Sequence, residues 1–299
     1  MVITGAPGAE EYAGRFESWA QAWLQAAQAG GWQTLRPGEK GSPTLADITQ
    51  ALQSTAGSPV RPLWLVLIGH GTFDGRQAAF NLPGPDLQPE QLKQLLPKDR
   101  PICVVACFSA SGPFLPTLSH QHRVIITATA SGNEINFSRW GGELAGALQD
   151  LAADLDKDQQ VSLLEAFLLA SRRNQEFYAG DGRLMTEHPV LDDNGDARPV
   201  PPAGFEGIRP VKRLESAATL PDGVQAHQWI LIPTGEDARL DPAQLARRNE
   251  IELEIARLRN LKERLPEDQY YQALEKLLLD LAQVILPSPV ATGRPMDSQ

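Results

Sequence analysis

Residues 62–72 read PLWLVLIGHGT and residues 101–112 read PICVVACFSASG. Each is a continuous apolar run that stops on a reactive side chain, His70 in the first and Cys107 in the second. Neither run alternates polar with apolar, so each reads as a strand covered on both faces, as in a parallel sheet. Outward from this pair, VITGA (2–6) and RVIITAT (123–129) read as further strands. Tyr12, Phe16, Trp19, Trp23 and Ala26 recur at helical steps, and further helices are predicted near 44–55, 88–97, 141–155 and 161–178. QAHQWILIP (225–233) reads as one more strand, and the Gly-, Pro- and Asp-rich stretch 180–222 as an irregular excursion. This alternation predicts a three-layer α/β sandwich over residues 1–235, with a mostly parallel sheet and ligand groups beyond the carboxyl ends of its strands.

The character changes from Pro242. Ile251, Ile255, Leu258 and Leu265 form one helical stripe, and Tyr270, Leu274, Leu277, Leu281 and Val284 form another after Pro266. Residues 240–286 are therefore expected to be a helical hairpin. Leu253, Leu261, Leu278 and Leu279 exceed what one seam needs, so they are expected to cover either the α/β domain or another chain, with self-association or a partner protein favoured. The tail 287–299 is expected to be disordered.

The 299 residues carry a net charge of −10, which argues against a nucleic-acid partner. No apolar run is long enough to predict a membrane span. The opening MVITGAPG has no signal-peptide pattern, so the compartment stays open, export after removal of a leader included. Cys103 and Cys107, the two cysteines, would lie about 13 Å apart in one strand, too far for a disulfide. They make no zinc pattern with the five scattered histidines. GAPG lacks the Lys-Ser/Thr of a phosphate loop, and LDDNGD (191–196) lacks the spacing of a calcium loop and reads as a turn. The expected chemistry therefore needs no metal and no cofactor.

A thiol at neutral pH is a weak nucleophile until a base takes its proton, and an imidazole can do so. His70 and Cys107 are predicted at the same edge of adjacent strands. Gly69 and Gly71 let backbone approach a ligand, and the Gly71 and Cys107 amides could bind an oxyanion. Cys103, inside its strand, reads as core, and His120, His122, His188 and His227 as surface or structural residues. Ser109 and Ser111 lack the Gly-x-Ser-x-Gly elbow of a serine nucleophile.

His70-Gly71 closing one strand and Ala106-Cys107 closing the next, 37 residues from His70 to Cys107, resemble the caspase, legumain, gingipain and separase group of cysteine peptidases. RVIITATASGNE is similar to the strand that follows the nucleophile in legumain-type members. VITGAPGAEEYAGRFESWAQAWLQAA resembles their first strand and helix. The likeness spans roughly residues 2–180, and it implies a caspase-like fold. It also implies a cysteine endopeptidase acting on a peptide or protein through a thioester. His70 would be the base, Cys107 the nucleophile, and the Gly71 and Cys107 amides the oxyanion hole. Ser131, Asn133 and Glu134 are pocket candidates by location. Val105 stands where asparagine-specific legumains carry an acid, and EEYAG (10–14) offers no arginine, so asparagine specificity is not expected. Transpeptidation on the same dyad is one alternative, and a catalytically weak scaffold working through its C-terminal hairpin is another.

Overall fold

The computed structural model describes residues 1–38, 41–55, 61–98, 100–211, 220–235 and 237–286. Its strands are β1 (Val2–Thr4), β2 (Leu63–Ile68), β3 (Gly71–Phe73), β4 (Ala78–Phe80), β5 (Ile102–Cys107), β6 (Arg123–Thr127) and β7 (Val190–Asp192), with a short antiparallel pair, β8 (Phe205–Glu206) and β9 (Arg209–Pro210), apart from them. One sheet runs β1-β2-β5-β6-β7, while β3 and β4 form a separate hairpin. The first four strands of the sheet are parallel, and β7 runs antiparallel to β6. Strand order follows chain order, so the sheet has no reversal of the kind that opens a ligand crevice in doubly wound folds.

Side chains alternate across a strand, and here both faces are covered. Val66, Ile68, Cys103, Val105 and Cys107 bury themselves with residues of α1 (Glu10–Ala29). Leu65, Leu67, Val104 and Ala106 bury themselves on the other face with residues of α2 (Leu45–Ser54), α3 (Pro89–Leu95) and α4 (Phe114–Leu118). Residues of α5 (Trp140–Ala147) and α6 (Leu163–Gly180) join α1 on the Cys107 face. Each fully buried Leu, Ile, Val or Phe contributes roughly 1.5–3 kcal/mol, which is why these runs tolerate no polar alternation.

Local chemistry sets the helix ends. Thr44 and Asp47 form a capping box at α2, and Ser162 and Glu165 form another at α6. The helix expected over 141–155 stops at Ala147 and resumes as a short turn at Leu151–Ala153. There the Asp150 carboxylate accepts the Ala152 N–H, a local bond that competes with the helix ladder.

The strand expected at 225–233 is not formed. Val224–His227 is the short helix α7, and Ile230 makes only an isolated bridge with Ser162. The Asp193 carboxylate accepts the N–H groups of Gly223 and Ala226, which holds that turn helical. The sheet edge is taken instead by β7, inside the stretch expected to be irregular, where Leu191 is fully buried.

A second compact unit includes the chain from Thr234 onward. In it, α8 (Pro242–Asn260) and α9 (Glu267–Ile285) pack as a helical hairpin, with Pro266 the N-cap of α9. Ile251, Ile255, Leu258 and Tyr270 are buried, whereas Tyr271, Leu278 and Leu279 are exposed. The tail expected to be disordered, 287–299, lies outside the described residues. Among the described residues no helix is long and apolar enough to cross a membrane.

Candidate active site

The pairing of Ile68 with Cys107 puts the turn after β2 and the end of β5 at one edge of the sheet. The His70 ring packs against Tyr12, Phe16 and Phe137, with centroids 4.6, 5.0 and 5.9 Å away. Phe16 belongs to the same buried cluster as Cys107, so imidazole and thiol share one face. His70 Nε2 lies 3.2 Å from the Pro7 carbonyl. A carbonyl only accepts, so Nε2 carries the proton and Nδ1 keeps the lone pair of the neutral ring. Burial lowers the His70 pKa, opposed by the Pro7 carbonyl, and so favours that neutral form.

The thiol is covered. Cys107 has 0% exposure, and a Cβ placed on Gly141 would fall 2.4 Å from Cys107 Cβ and 3.0 Å from Sγ. Burial, and after it the Glu187 charge, push the Cys107 pKa well above its ordinary range. It is a thiol here, not a thiolate. Among the described residues no hydrogen bond joins His70 to Cys107. The Gly71 N–H is engaged by Ser109 Oγ at 3.2 Å, and that hydroxyl donates back to the Gly71 carbonyl at 3.1 Å. A Cβ at Gly71 would sit 2.1 Å from the Ser109 carbonyl oxygen, so only glycine fits.

The cover is held by a residue for which the sequence offers no signal. Glu187, with 0% exposure, accepts from Ser138 Oγ at 2.5 Å, Arg139 N at 3.2 Å, Trp140 N at 3.3 Å and Tyr178 OH at 3.3 Å. It caps the start of α5, the helix that carries Gly141. Burial pushes its pKa up against those hydrogen bonds. Replacing Gly141 with Ala is expected to cost about 1–3 kcal/mol through overpacking on Cys107. Urea unfolding measures it, and a change under about 0.5 kcal/mol would show that α5 does not press on the thiol.

Ser131 and Glu134 come together, with Ser131 Oγ donating to Glu134 Oε1 at 3.4 Å. Glu134 Oε2 accepts the His188 N–H at 2.7 Å and lies 3.3 Å from His188 Nδ1, and its carbonyl accepts from Ala110 N. Asn133 is exposed and takes no part in these contacts. Arg15 lies on α1 with its guanidinium 5.6 Å from the Phe137 centroid, beside the His70 ring. Arg15, Trp19, Phe137, Arg139, Phe177 and Arg183 are among the residues lining a cavity of about 650 Å³ on this side.

No family model matches the chain, and a search of the curated proteins returns no significant match. Fold and site together define an α/β protein with a mostly parallel sheet and a histidine and a cysteine at one strand edge.

Proposed function

We propose that the protein is a cysteine endopeptidase of the caspase–legumain type, with its thiol covered in the form described here. The observation that supports this most is the Ile68–Cys107 pairing, which brings His70 and Cys107 to one edge and one face of the sheet. On this reading His70 Nδ1 takes the Cys107 proton and the thiolate attacks the peptide carbonyl. The imidazolium returns the proton to the departing amine, and water opens the thioester. Two groups move first: α5 lifts Gly141 from Sγ, and the Gly71 N–H leaves Ser109 Oγ to serve the oxyanion. Of the three arginines that line the cavity beside Phe137, Arg139 pairs with Glu143 at 2.8 Å and Arg183 with Asp181 at 3.7 Å. Among the described residues Arg15 is therefore the cation left there to favour a substrate carboxylate.

A scaffold role is the second reading, favoured by the zero exposure of Cys107. A thiol-reactive peptide probe separates the two. Labelling is expected in the wild type and in Cys103→Ala, lost in Cys107→Ala, and slowed by about 10²-fold or more in His70→Ala. Labelling that survives in Cys107→Ala, or none at all in the folded wild type, overturns the peptidase reading and leaves the scaffold. An added amine that appears in the products would instead assign transpeptidation.

A further inference from the structure

Residues 154–165 read DLDKDQQVSLLE and run from the end of the short turn at Leu151–Ala153 into the first turn of α6. Carboxylates stand at the first, third and fifth places as Asp154, Asp156 and Asp158. Gln160 supplies a carbonyl at the seventh place, Ser162 a hydroxyl at the ninth and Glu165 a carboxylate at the twelfth. That order of oxygen donors, ending on a glutamate in the exit helix, is the sequence pattern of a twelve-residue calcium loop. The pattern asks for glycine at the sixth place. Gln159 stands there, and it takes the left-handed backbone that glycine would, with φ +73°.

Two further facts point to a cation. Carboxylate oxygens of Asp154, Asp156 and Asp158 all lie within 4.8 Å of one another. Two carboxylates of the pattern are also more than nine-tenths buried without a counter-charge, Asp154 at 7% exposure and Glu165 at 1%. Asp154 accepts the Lys157 and Gln159 amides, and Glu165 accepts the Leu155 and Ser162 amides and the Ser162 hydroxyl. Among the described residues neither forms an ion pair, and neither does Asp158; His227 Nε2 lies 3.2 Å from Asp156 Oδ2. The Lys157 ammonium turns to the Asp154 carbonyl. Buried carboxylates without a cation are costly, and a metal among them supplies the missing charge.

We propose that residues 154–165 bind one calcium ion through Asp154, Asp156, Asp158, the Gln160 carbonyl, Ser162 and Glu165. The donors are all hard oxygens, which suits calcium rather than zinc or copper. The proposal is independent of the peptidase reading.

Calorimetry on the full chain, stripped with a chelator and titrated with calcium chloride or magnesium chloride, tests it. One site with a Kd below about 1 mM for calcium and weaker binding of magnesium is expected. A higher melting temperature in calcium than in chelator is expected alongside it. Asp156→Asn and Asp158→Asn change exposed side chains and leave the Glu165 capping box of α6 untouched. Each is expected to weaken calcium at least ten-fold while leaving the melting temperature in chelator near that of the wild type. No saturable heat up to about 5 mM calcium, equal binding of magnesium, or wild-type affinity in both variants overturns the proposal.

Discussion

Replacing Trp140 with Ala is expected to lower stability by about 3–5 kcal/mol. The indole has 0% exposure, its N–H donates to Ser171 Oγ at 3.3 Å, and its ring centroid lies 6.1 Å from that of Phe167. Ser171 keeps its bond to the Phe167 carbonyl, so the loss is almost wholly packing and cavity. Urea unfolding at an unchanged slope measures it, and a loss below about 1 kcal/mol would mean that α5 is not packed as described. Trp140 opens the helix that covers Cys107, so the same variant should also speed modification of that thiol under native conditions.

The second large effect is a dependence on pH. Asp193 has 0% exposure and Asp222 8%, and the Asp193 amide donates to Asp222 Oδ1 at 3.1 Å. Burial raises both pKa values, with each other's charge adding for Asp193, and Asp222 is pushed up to about 7. An unfolded aspartate titrates near 4, so between about pH 4 and 7 the folded chain keeps a proton that the unfolded chain has lost. Stability from this pair is full below that window and falls as pH rises through it. For Asp222 alone the loss by pH 8 should be on the order of 4 kcal/mol, and Asp193 acts in the same direction. Burial raises Glu187 and Asp192 as well, in the same direction. Urea midpoints at pH 5 and pH 8 should differ less in Asp222→Asn than in the wild type. An unchanged difference would remove the pair from the explanation.

Much of the α/β architecture could be read because burial on both faces leaves a plain mark. The runs at 62–69 and 101–107 carry no polar residue, and both became central strands. QAHQWILIP was apolar enough to suggest another strand, but the Asp193 carboxylate, distant in sequence, fixed Val224–His227 as helix. β7 was hidden because three residues give too short an alternation to see. At the site, the strand-end positions of His70 and Cys107 follow from local pattern alone. The cover does not, since it depends on a glycine in α5 and on Glu187, which stands in no motif. The donor spacing over 154–165 was present in the sequence, with Gln159 in the glycine place masking it.

That the strands lie side by side in the order of the chain bears on how the molecule is made. Val2 pairs with Val66, so the first strand has no neighbour until more than sixty residues of chain have followed it. From then on β5, β6 and β7 each add to the edge left by the strand before, and none has to enter between two that are already paired. A nascent chain can therefore lay down this sheet by accretion as it leaves the ribosome, one edge growing in one direction. The cost falls at the start. The long first closure makes β1–β2 pairing a slow step, and a chain stalled before it would present the apolar β2 with no partner.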